Sequence, residues 1–493
     1  MLVRLGIDLV PGTGPLDALY IGPMSGADFL QLNPGTAPSR GMTTWLTDEL
    51  RAAIMDGRLG TGATLPASRI LAGELDVSRG VVVEAYQRLK DEGMVSGRHG
   101  AGTVVTGVVD TGIAPGPTPS GELTFLPRRW RTDAEFDLSP GVPDLSGFPR
   151  AAWLRAERTV LDQADVADLG YGDPHGSERL RGELAGWLAR TRGLRARPDD
   201  IIVVNGVAQA MALLAHWLHT HGRSEIAVED PGSRGAVEEL RYWGLRTVPV
   251  AVDDAGLRVD QLRGVRSVRA VMVTPAHQFP TGVVLAPHRR RELLAWAESA
   301  DGLVIEDDYD AEYRYDRTPV PAMHASDPGR VVYAGSTSKT LAPGLRLGWL
   351  IPPGWLKDDL LVAKHASDLG SPALPQLVLA QLIASGDLEQ HIRLMRKRQR
   401  GRRDALLAAL RTYLPQARVQ GVAAGLHLLI TFPGLDISDA ELAGRILQAG
   451  VLVHPLSAHG PRSEAPGLVL GYAAHTTDQL REAVRRVGSV FSA

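Results

Sequence analysis

From about residue 136 onward, short apolar runs alternate with helical stretches. DIIVVNG, SEIAVEDPG, RAVMVTPA, GLVIEDDYD and RVVYAGSTS each pass from apolar residues into a polar or glycine-containing turn. Between them lie segments such as SERLRGELAGWLARTRG and APHRRRELLAWAESA, whose apolar residues recur at helical spacing. This alternation restricts the fold more than any other feature, because strands joined by helical crossovers run parallel and a parallel sheet is covered on both faces. Ligands in such sheets bind beyond the carboxyl ends of the strands, which is where the polar residues of these runs fall. At 493 residues and 44% apolar composition the chain can form roughly two to four folding units with sizeable cores.

The last of the runs opens into GSTSKTLAPGLRLGW, residues 335–349, where Lys339 follows Ser336, Thr337 and Ser338, and Arg346 comes seven positions later. A serine three residues ahead of a lysine fits two chemistries. In acyl transfer Ser336 attacks and Lys339 takes its proton, but the S-D-N and K-T-G partners of that arrangement are absent downstream. The alternative is a desolvated lysine that condenses with an aldehyde near other cations. Arg346 supplies the cation, and the hydroxyls of Ser336 and Ser338 suit a phosphate. The chain has no cysteine, so thiolate nucleophiles and Cys-ligated zinc are excluded. Other strand ends favour the second chemistry. VIEDDYD, residues 304–310, brings Asp307 and Tyr309 to the same edge, and NGVAQAM, residues 205–211, turns from strand into a helix whose free N–H groups at Val207 and Ala208 suit a phosphate. Pyridoxal 5'-phosphate needs a carboxylate at its ring nitrogen and a phenol near its 3-oxygen. A lysine, a strand-end acid and a glycine turn at a helix start form that constellation.

The region before the alternation is different. Residues 1–38 are rich in Gly and Pro, show no sustained period and receive no function, although DFLQL could start a strand. From Gly41 the pattern is helical: Leu46, Leu50 and Ile54 recur every four residues, with Thr43 or Thr44 as N-cap and Gly57 as the stop. A short helix in ASRILAGEL, the turn DVS and a second helix in SRGVVVEAYQRLKDEG follow, the last capped by Ser78, with Val82, Ala85 or Tyr86, and Leu89 as its buried stripe and Gly93 as its end. MVSGRHGAGTVVTG then reads as two strands around a basic turn. Three helices and a wing make a winged helix-turn-helix over residues 39–106. In that plan the N-terminal end of the recognition helix meets base edges, so Ser78, Arg79 and Gly80 face DNA, Arg69 meets phosphate, and Arg98 and His99 on the wing reach a neighbouring groove. From Arg40 to Arg98, seven Arg and one Lys balance eight Asp and Glu, and the whole chain has net charge −3. Net charge gives DNA binding no support, and only an uneven distribution of charge can supply it. Residues 107–135 hold a Pro- and Gly-rich linker, and residues 136–493 form the large domain. The basic run RLMRKRQRGRRD, residues 393–404, reads as a solvated helical face. No run of about 18 apolar residues is present to span a membrane, and the start breaks into Pro and Gly, so a cytoplasmic location is expected.

The segment from GRLGTGATLPASRILAGEL through GMVSGRHGAGTVV resembles the DNA-binding domain of GntR-type bacterial regulators, in the correct order. It departs from that pattern at Val81, where the family usually has threonine. Residues 137–493 resemble the fold type I aminotransferases through YGDPHGSERLRGELA, NGVAQAM, VEDPG, TPAHQFPTGVVL, VIEDDYDAEY and GSTSKTLAPGLRLGW. The two together are similar to the MocR/GabR subfamily of GntR regulators, in which a DNA-binding head is linked to an aminotransferase-like effector domain. The resemblance implies an α/β domain with a mainly parallel sheet and a smaller C-terminal α+β subdomain. It also implies that Lys339 forms a Schiff base with the cofactor aldehyde, Asp307 pairs with the ring nitrogen and Tyr309 contacts the 3-oxygen. Ser336, Ser338, Arg346 and the backbone at Val207 and Ala208 would hold phosphate, and Phe279 lies at the cofactor. Tyr171 matches a tyrosine that reaches the neighbouring subunit's phosphate, which implies a homodimer, domain-swapped.

Three departures bear on function. Ser233 stands where a tyrosine stacks on the cofactor ring, and Phe279 where the enzymes have asparagine. In GLVLGYAA, residues 467–474, Val469 stands where amino-acid aminotransferases place the arginine that grips the substrate carboxylate; Arg462 or Arg234 would have to replace it. These changes favour sensing over turnover, with at most weak or half-reaction transaminase activity. The expected function is a regulator that binds operator DNA as a dimer and responds to pyridoxal 5'-phosphate or an amine lacking a conventional α-carboxylate. Its alternatives are a working aminotransferase with an appended winged domain and a cofactor-free scaffold for two heads.

Overall fold

The computed structural model describes residues 41–98, 102–106, 134–315, 320–460 and 465–491. Residues 1–40, the turn holding His99 and nearly all of the linker lie outside them. The chain divides between residues 123 and 124 into two compact units.

In the first unit, helices Met42–Met55, Ser68–Glu74 and Arg79–Asp91 pack with a three-stranded antiparallel sheet in the order Thr64–Leu65, Gly102–Val105, Val95–Arg98. The fourfold spacing of Leu46, Leu50 and Ile54 puts all three on one face, where they meet Leu71, Val82, Ala85, Leu89, Val95 and Val105 in a single core. Each leucine so buried contributes on the order of 2 kcal/mol. Both Ala85 and Tyr86 are buried, and the Tyr86 hydroxyl finds Pro66 O at 2.8 Å. Two expectations about caps are corrected. Gly41, with φ +97°, stands at the N-cap of the first helix, so Thr43 and Thr44 fall inside its first turn. Ser78 does occupy the N-cap of the third helix, but its side chain makes no capping hydrogen bond. The strand Thr64–Leu65 is an addition to the two strands expected.

The second unit is built on an eight-stranded sheet. Its order is Ile202–Val204, Gly348–Ile351, Val331–Ser336, Leu303–Asp308, Ala270–Val273, Glu225–Asp230, Arg246–Asp253, Gly256–Leu257. Only Gly348–Ile351 and the short Gly256–Leu257 run against their neighbours. Alternate residues of one strand feed opposite faces: Val203, Tyr333 and Trp349 join one core, whereas Ile202, Val204, Val332, Ala334 and Leu350 join another. Helices Glu178–Arg192 and Ala373–Ala384 contribute to the first core and Val207–Thr220 to the second, so the sheet is covered on both sides.

A four-stranded sheet, Arg418–Gln420, His427–Thr431, Gly467–Gly471, His454–Pro455, packs with helices Asp387–Tyr413, Asp439–Gln448 and Thr477–Ser489 around Leu406, Ile430, Leu468 and Leu480. This is the smaller α+β subdomain. The first strand of the unit, Phe136–Asp137, pairs with Val451–Leu452 there, and the chain then passes the carboxyl edge of the large sheet at Gly141. Helix Asp387–Tyr413 corrects in part the reading of the basic run as solvated: Arg393, Lys397 and Arg398 are exposed, but other arginines turn inward. Arg396 donates to Glu312 O at 2.7 Å, Arg400 to Tyr315 O, Arg402 pairs with Asp144 at 2.8 Å, and Arg403 lies over the Tyr315 ring at 4.7 Å. These arginines satisfy carbonyls and a carboxylate of their own unit. No helix among the described residues is long and apolar enough to cross a membrane.

Candidate functional sites

Strand pairing fixes the carboxyl edge. Asp307 stands opposite Ala334 and Asp308 opposite Gly335, so the acid of one strand lies beside the start of the Ser336–Lys339 turn of the next. The Lys339 backbone is held by its neighbours: the Tyr313 hydroxyl donates to Lys339 O at 3.0 Å, and His391 Nε2 donates to Thr340 O at 2.8 Å. The Lys339 ammonium donates to Gly141 O, and Gly141 has φ +86°, a conformation suited to glycine. Burial pushes the Lys339 amine below its ordinary pKa, against the attraction of Asp310 and Asp307.

Asp307 and Asp308 divide by strand alternation. Asp308 accepts from Arg192 Nε and from the Tyr333 hydroxyl, both at 2.6 Å, and Arg192 also pairs with Glu312 at 2.7 Å. Asp307 keeps a buried Oδ1 with no hydrogen-bond partner. Burial together with Asp308 and Asp310 pushes its carboxyl up to about 7, and only Lys339 draws it down. An orphaned buried carboxylate oxygen within electrostatic reach of the Lys339 amine suits a cationic N–H donor.

Tyr309 donates to His277 O at 3.0 Å and lies 3.1 Å from His277 Nδ1, which in turn is 2.9 Å from Asp310 Oδ2. Burial raises the phenol well above its usual range, with Asp310 and Asp307 adding to the effect. His277, Asp310 and His427 lie close enough to hold a metal ion. His277 Nδ1 is engaged with Asp310, and His427 Nε2 donates to Pro280 O at 3.1 Å, while His277 Nε2 has no partner among the described residues. Phe279 packs edge-on to Tyr309, His427 and His459 with ring centroids 6.4, 5.1 and 5.1 Å away.

The helix Val207–Thr220 starts directly after strand Ile202–Val204 and the turn Asn205–Gly206, leaving its first amides, Val207 and Ala208 among them, at the same edge. Arg346 donates to Asn205 O across this turn. A Cβ on Gly206 would come within 2.9 Å of that guanidinium, so glycine is what admits the arginine. Arg346 itself has φ +52°, a left-handed conformation that a non-glycine residue holds at a cost of about 1 to 3 kcal/mol. The Ser336 hydroxyl accepts from Ser338 N at 3.3 Å.

Other predicted residues fall elsewhere. Tyr171 is 92% exposed and so is not drawn into the site of its own chain. Ser233 caps helix Arg234–Tyr242 through Ala236 N at 3.3 Å and, with Phe279, Thr274 and Glu229, lines a small cavity of about 20 Å³. Val469 is fully buried against Leu429 and Leu456. Of its two candidate substitutes, Arg234 pairs with Glu238 at 2.6 Å, and Arg462 lies outside the described residues.

On the first unit, Arg69, Ser78, Arg79 and Gly80 are all exposed, and Arg79 Nε approaches Ser68 Oγ at 3.4 Å. Arg98 ends a wing strand, and His99 lies outside the described residues. The charge balance now has a spatial answer. Arg51, Arg58 and Arg88 are neutralised by Glu92 and Asp48, by Asp56 and by Glu84. Among the described residues, neither Arg69 nor Arg79 is in an ion pair.

A model of the family Aminotransferase class I and II matches residues 135–487, and one of Bacterial regulatory proteins, gntR family, matches residues 44–105. The chain is 33% identical to the HTH-type pyridoxine biosynthesis transcriptional regulator PdxR of Corynebacterium glutamicum, over 94% of this chain and 98% of that one. This chain belongs to the MocR/GabR subfamily of GntR-type regulators. A second member of similar likeness is the probable rhizopine catabolism regulatory protein MocR of Rhizobium meliloti, 33% identical over 91% of this chain and 93% of its own. Among solved structures, the multiple substrate aminotransferase of Thermococcus profundus is similar with TM-score 0.67 and 28% identity, over 74% of this chain and 92% of that one. The Pyrococcus horikoshii kynurenine aminotransferase, solved with PMP, matches with the same score and identity over 73% and 91%.

The reading from sequence missed several MocR/GabR-type site neighbours: Gly141, His277, Asp310, Tyr313 and His391. Asp310 left a signal as the fourth acid of VIEDDYD, and Tyr313 closes the longer run VIEDDYDAEY. Gly141, His277 and His391 come from other segments that meet this one only in the fold.

Proposed function

We propose that this protein is a pyridoxal 5'-phosphate-dependent transcriptional regulator that binds operator DNA as a homodimer and responds to the cofactor itself or to an amine that reacts with it. The observation that carries this reading is the Asp307 oxygen, buried and without a partner, in electrostatic reach of the buried Lys339 amine. Those groups and the arginine-backed helix start fit the ring nitrogen, aldehyde and phosphate of one small molecule. When bound, pyridoxal 5'-phosphate supplies an aldehyde that condenses reversibly with amines and a ring that accepts electron density.

The residues of this chain divide the remaining work. Lys339, its pKa lowered by burial, presents a free amine at neutral pH more readily than a surface lysine. Asp307 holds a proton on the ring nitrogen, and the Tyr309 phenol, steadied by His277, bonds the 3-oxygen. Arg346, Ser336, Ser338 and the Val207 and Ala208 amides take the phosphate, and Phe279 packs at the ring. Exposed Tyr171 reaches the partner subunit's site. On the head, Arg79, Ser78 and Gly80 meet bases, Arg69 meets phosphate, and Arg98 and His99 extend the contact through the wing.

Val469 and its apolar neighbours offer no bidentate fork to an α-carboxylate, which argues against efficient turnover of amino acids. The test is optical and kinetic. Wild type with added cofactor is expected to turn yellow and Lys339→Ala to stay colourless. Steady-state transamination of amino acids is expected to fall well below about 1 per second. A colourless wild type would favour the scaffold reading, and sustained turnover above that rate the enzyme reading.

A further inference from the structure

The turn that presents Arg346 and the first helix amides is gripped from behind. Asp368, the last residue of helix Gly354–Asp368, accepts from Asn205 Nδ2 at 3.0 Å and from Gln209 Nε2 at 2.8 Å through the same oxygen, Oδ2. Lys364, one turn earlier and with no exposed surface, donates to both Asp368 oxygens at 3.1 Å. The Gly370 amide donates to Oδ1 at 2.9 Å. Gln209 closes the ring, because its Oε1 accepts the Asn205 N–H at 2.7 Å.

Asn205 is therefore fixed at three points: its amide by Gln209, its side chain by Asp368 and its carbonyl by Arg346. With both flanking peptide planes held, the next N–H groups are aimed out along the helix axis. Electrostatics agrees with this arrangement. A carboxylate behind an anion site repels the anion unless it is neutralised, and Lys364 neutralises Asp368 at contact distance. Holding one helix against another needs only apolar packing. An ion pair with a buried lysine, whose half-buried acid bonds the side chains of a ligand-facing turn, has a further use.

We propose that the Lys364–Asp368 pair is a positioning device for a ligand's phosphate group, acting through Asn205 and Gln209 on the Val207–Ala208 amides and on Arg346. It thereby sets the preference for a phosphorylated over an unphosphorylated pyridine aldehyde. The inference rests on the proposed function, and the experiment separates the two. Full-length protein is titrated with pyridoxal 5'-phosphate and, separately, with pyridoxal, following visible absorbance. Asp368→Asn is expected to weaken binding of the phosphorylated form roughly tenfold, as loss of a charge-assisted hydrogen bond does, and to leave pyridoxal within about twofold, so that the ratio of the two affinities collapses. Gln209→Ala keeps the ion pair and the helix and lowers the same ratio, which guards against a folding defect in the first variant. A ratio unchanged in both variants, or equal weakening of both aldehydes, overturns the inference and leaves the pair a packing role. A wild type that binds the two aldehydes equally overturns it as well. A wild type that takes up neither overturns the proposed function and this inference with it.

Discussion

Strand alternation turns Asp307 and Asp308 to opposite sides of one strand, where Arg192 and Tyr333 take Asp308 Oδ2 and, among the described residues, no group takes Asp307 Oδ1. The consequence is measurable in the ligand-free protein. Unfolded, the Asp307 carboxyl ionises near 3.8; folded, at about 7. Between those values the folded state keeps a proton that the unfolded state has released, so this group's contribution to stability falls as pH rises through the window. Asp307→Asn stays neutral throughout. It is expected to gain on wild type by roughly 4 kcal/mol between about pH 4 and pH 8, as read from denaturant unfolding without cofactor. Glu306, also pushed up to about 7 by burial, is present in both proteins and cancels in the difference, whereas Glu229 and Glu239, which Asp307 helps to raise, fall somewhat in the variant and add to the same trend. Parallel pH dependences would show that Asp307 is not the isolated acid. At this scale the sequence brought Lys339, Asp307 and the Asn205–Gly206 turn to one edge, because lysine, acid and glycine turn each sit at a strand end. It could not separate Asp307 from Asp308 or find His277 and Gly141, because those depend on contacts between distant segments.

Elements were legible where periodicity was long. The fourfold leucines of Met42–Met55 and the apolar runs of the central strands have one geometric solution each, and the structure has it. Short or side-chain-driven features were not legible. The two-residue strand Thr64–Leu65 has no period to read, and a cap depends on which residue first leaves helical geometry, so Gly41 displaced Thr43 and Thr44. Charge runs mislead in the same way. The arginines of Asp387–Tyr413 look solvated in sequence, yet carbonyls of the fold receive Arg396, Arg400 and Arg402. The head makes an element-scale prediction. Leu89 is fully buried at the centre of its core, so Leu89→Ala should destabilise that unit by about 2 to 5 kcal/mol. DNA binding should weaken while the visible absorbance of the larger unit persists, because the two units have separate cores. Loss of both signals together would indicate one cooperative unit.

At the scale of the whole molecule, a balanced chain binds DNA through where its charges stand. Among the described residues Arg69 and Arg79 have no acidic partner in an ion pair, while Arg51, Arg58 and Arg88 do. Arg79→Ala is expected to cost about 1 to 3 kcal/mol of operator affinity if it reads a base, and Arg51→Ala much less, as measured by fluorescence anisotropy at one stated salt concentration. Linkage then joins the two ends of the chain. If the cofactor alters operator affinity by some factor, operator alters cofactor affinity by the same factor. The most direct test of the account is the affinity of the full-length protein for a duplex it has itself selected from a random pool, with and without pyridoxal 5'-phosphate, for wild type and for Lys339→Ala. The account predicts that the cofactor changes the wild-type affinity by about fivefold or more and leaves Lys339→Ala unchanged. Equal wild-type affinities with and without cofactor would contradict it.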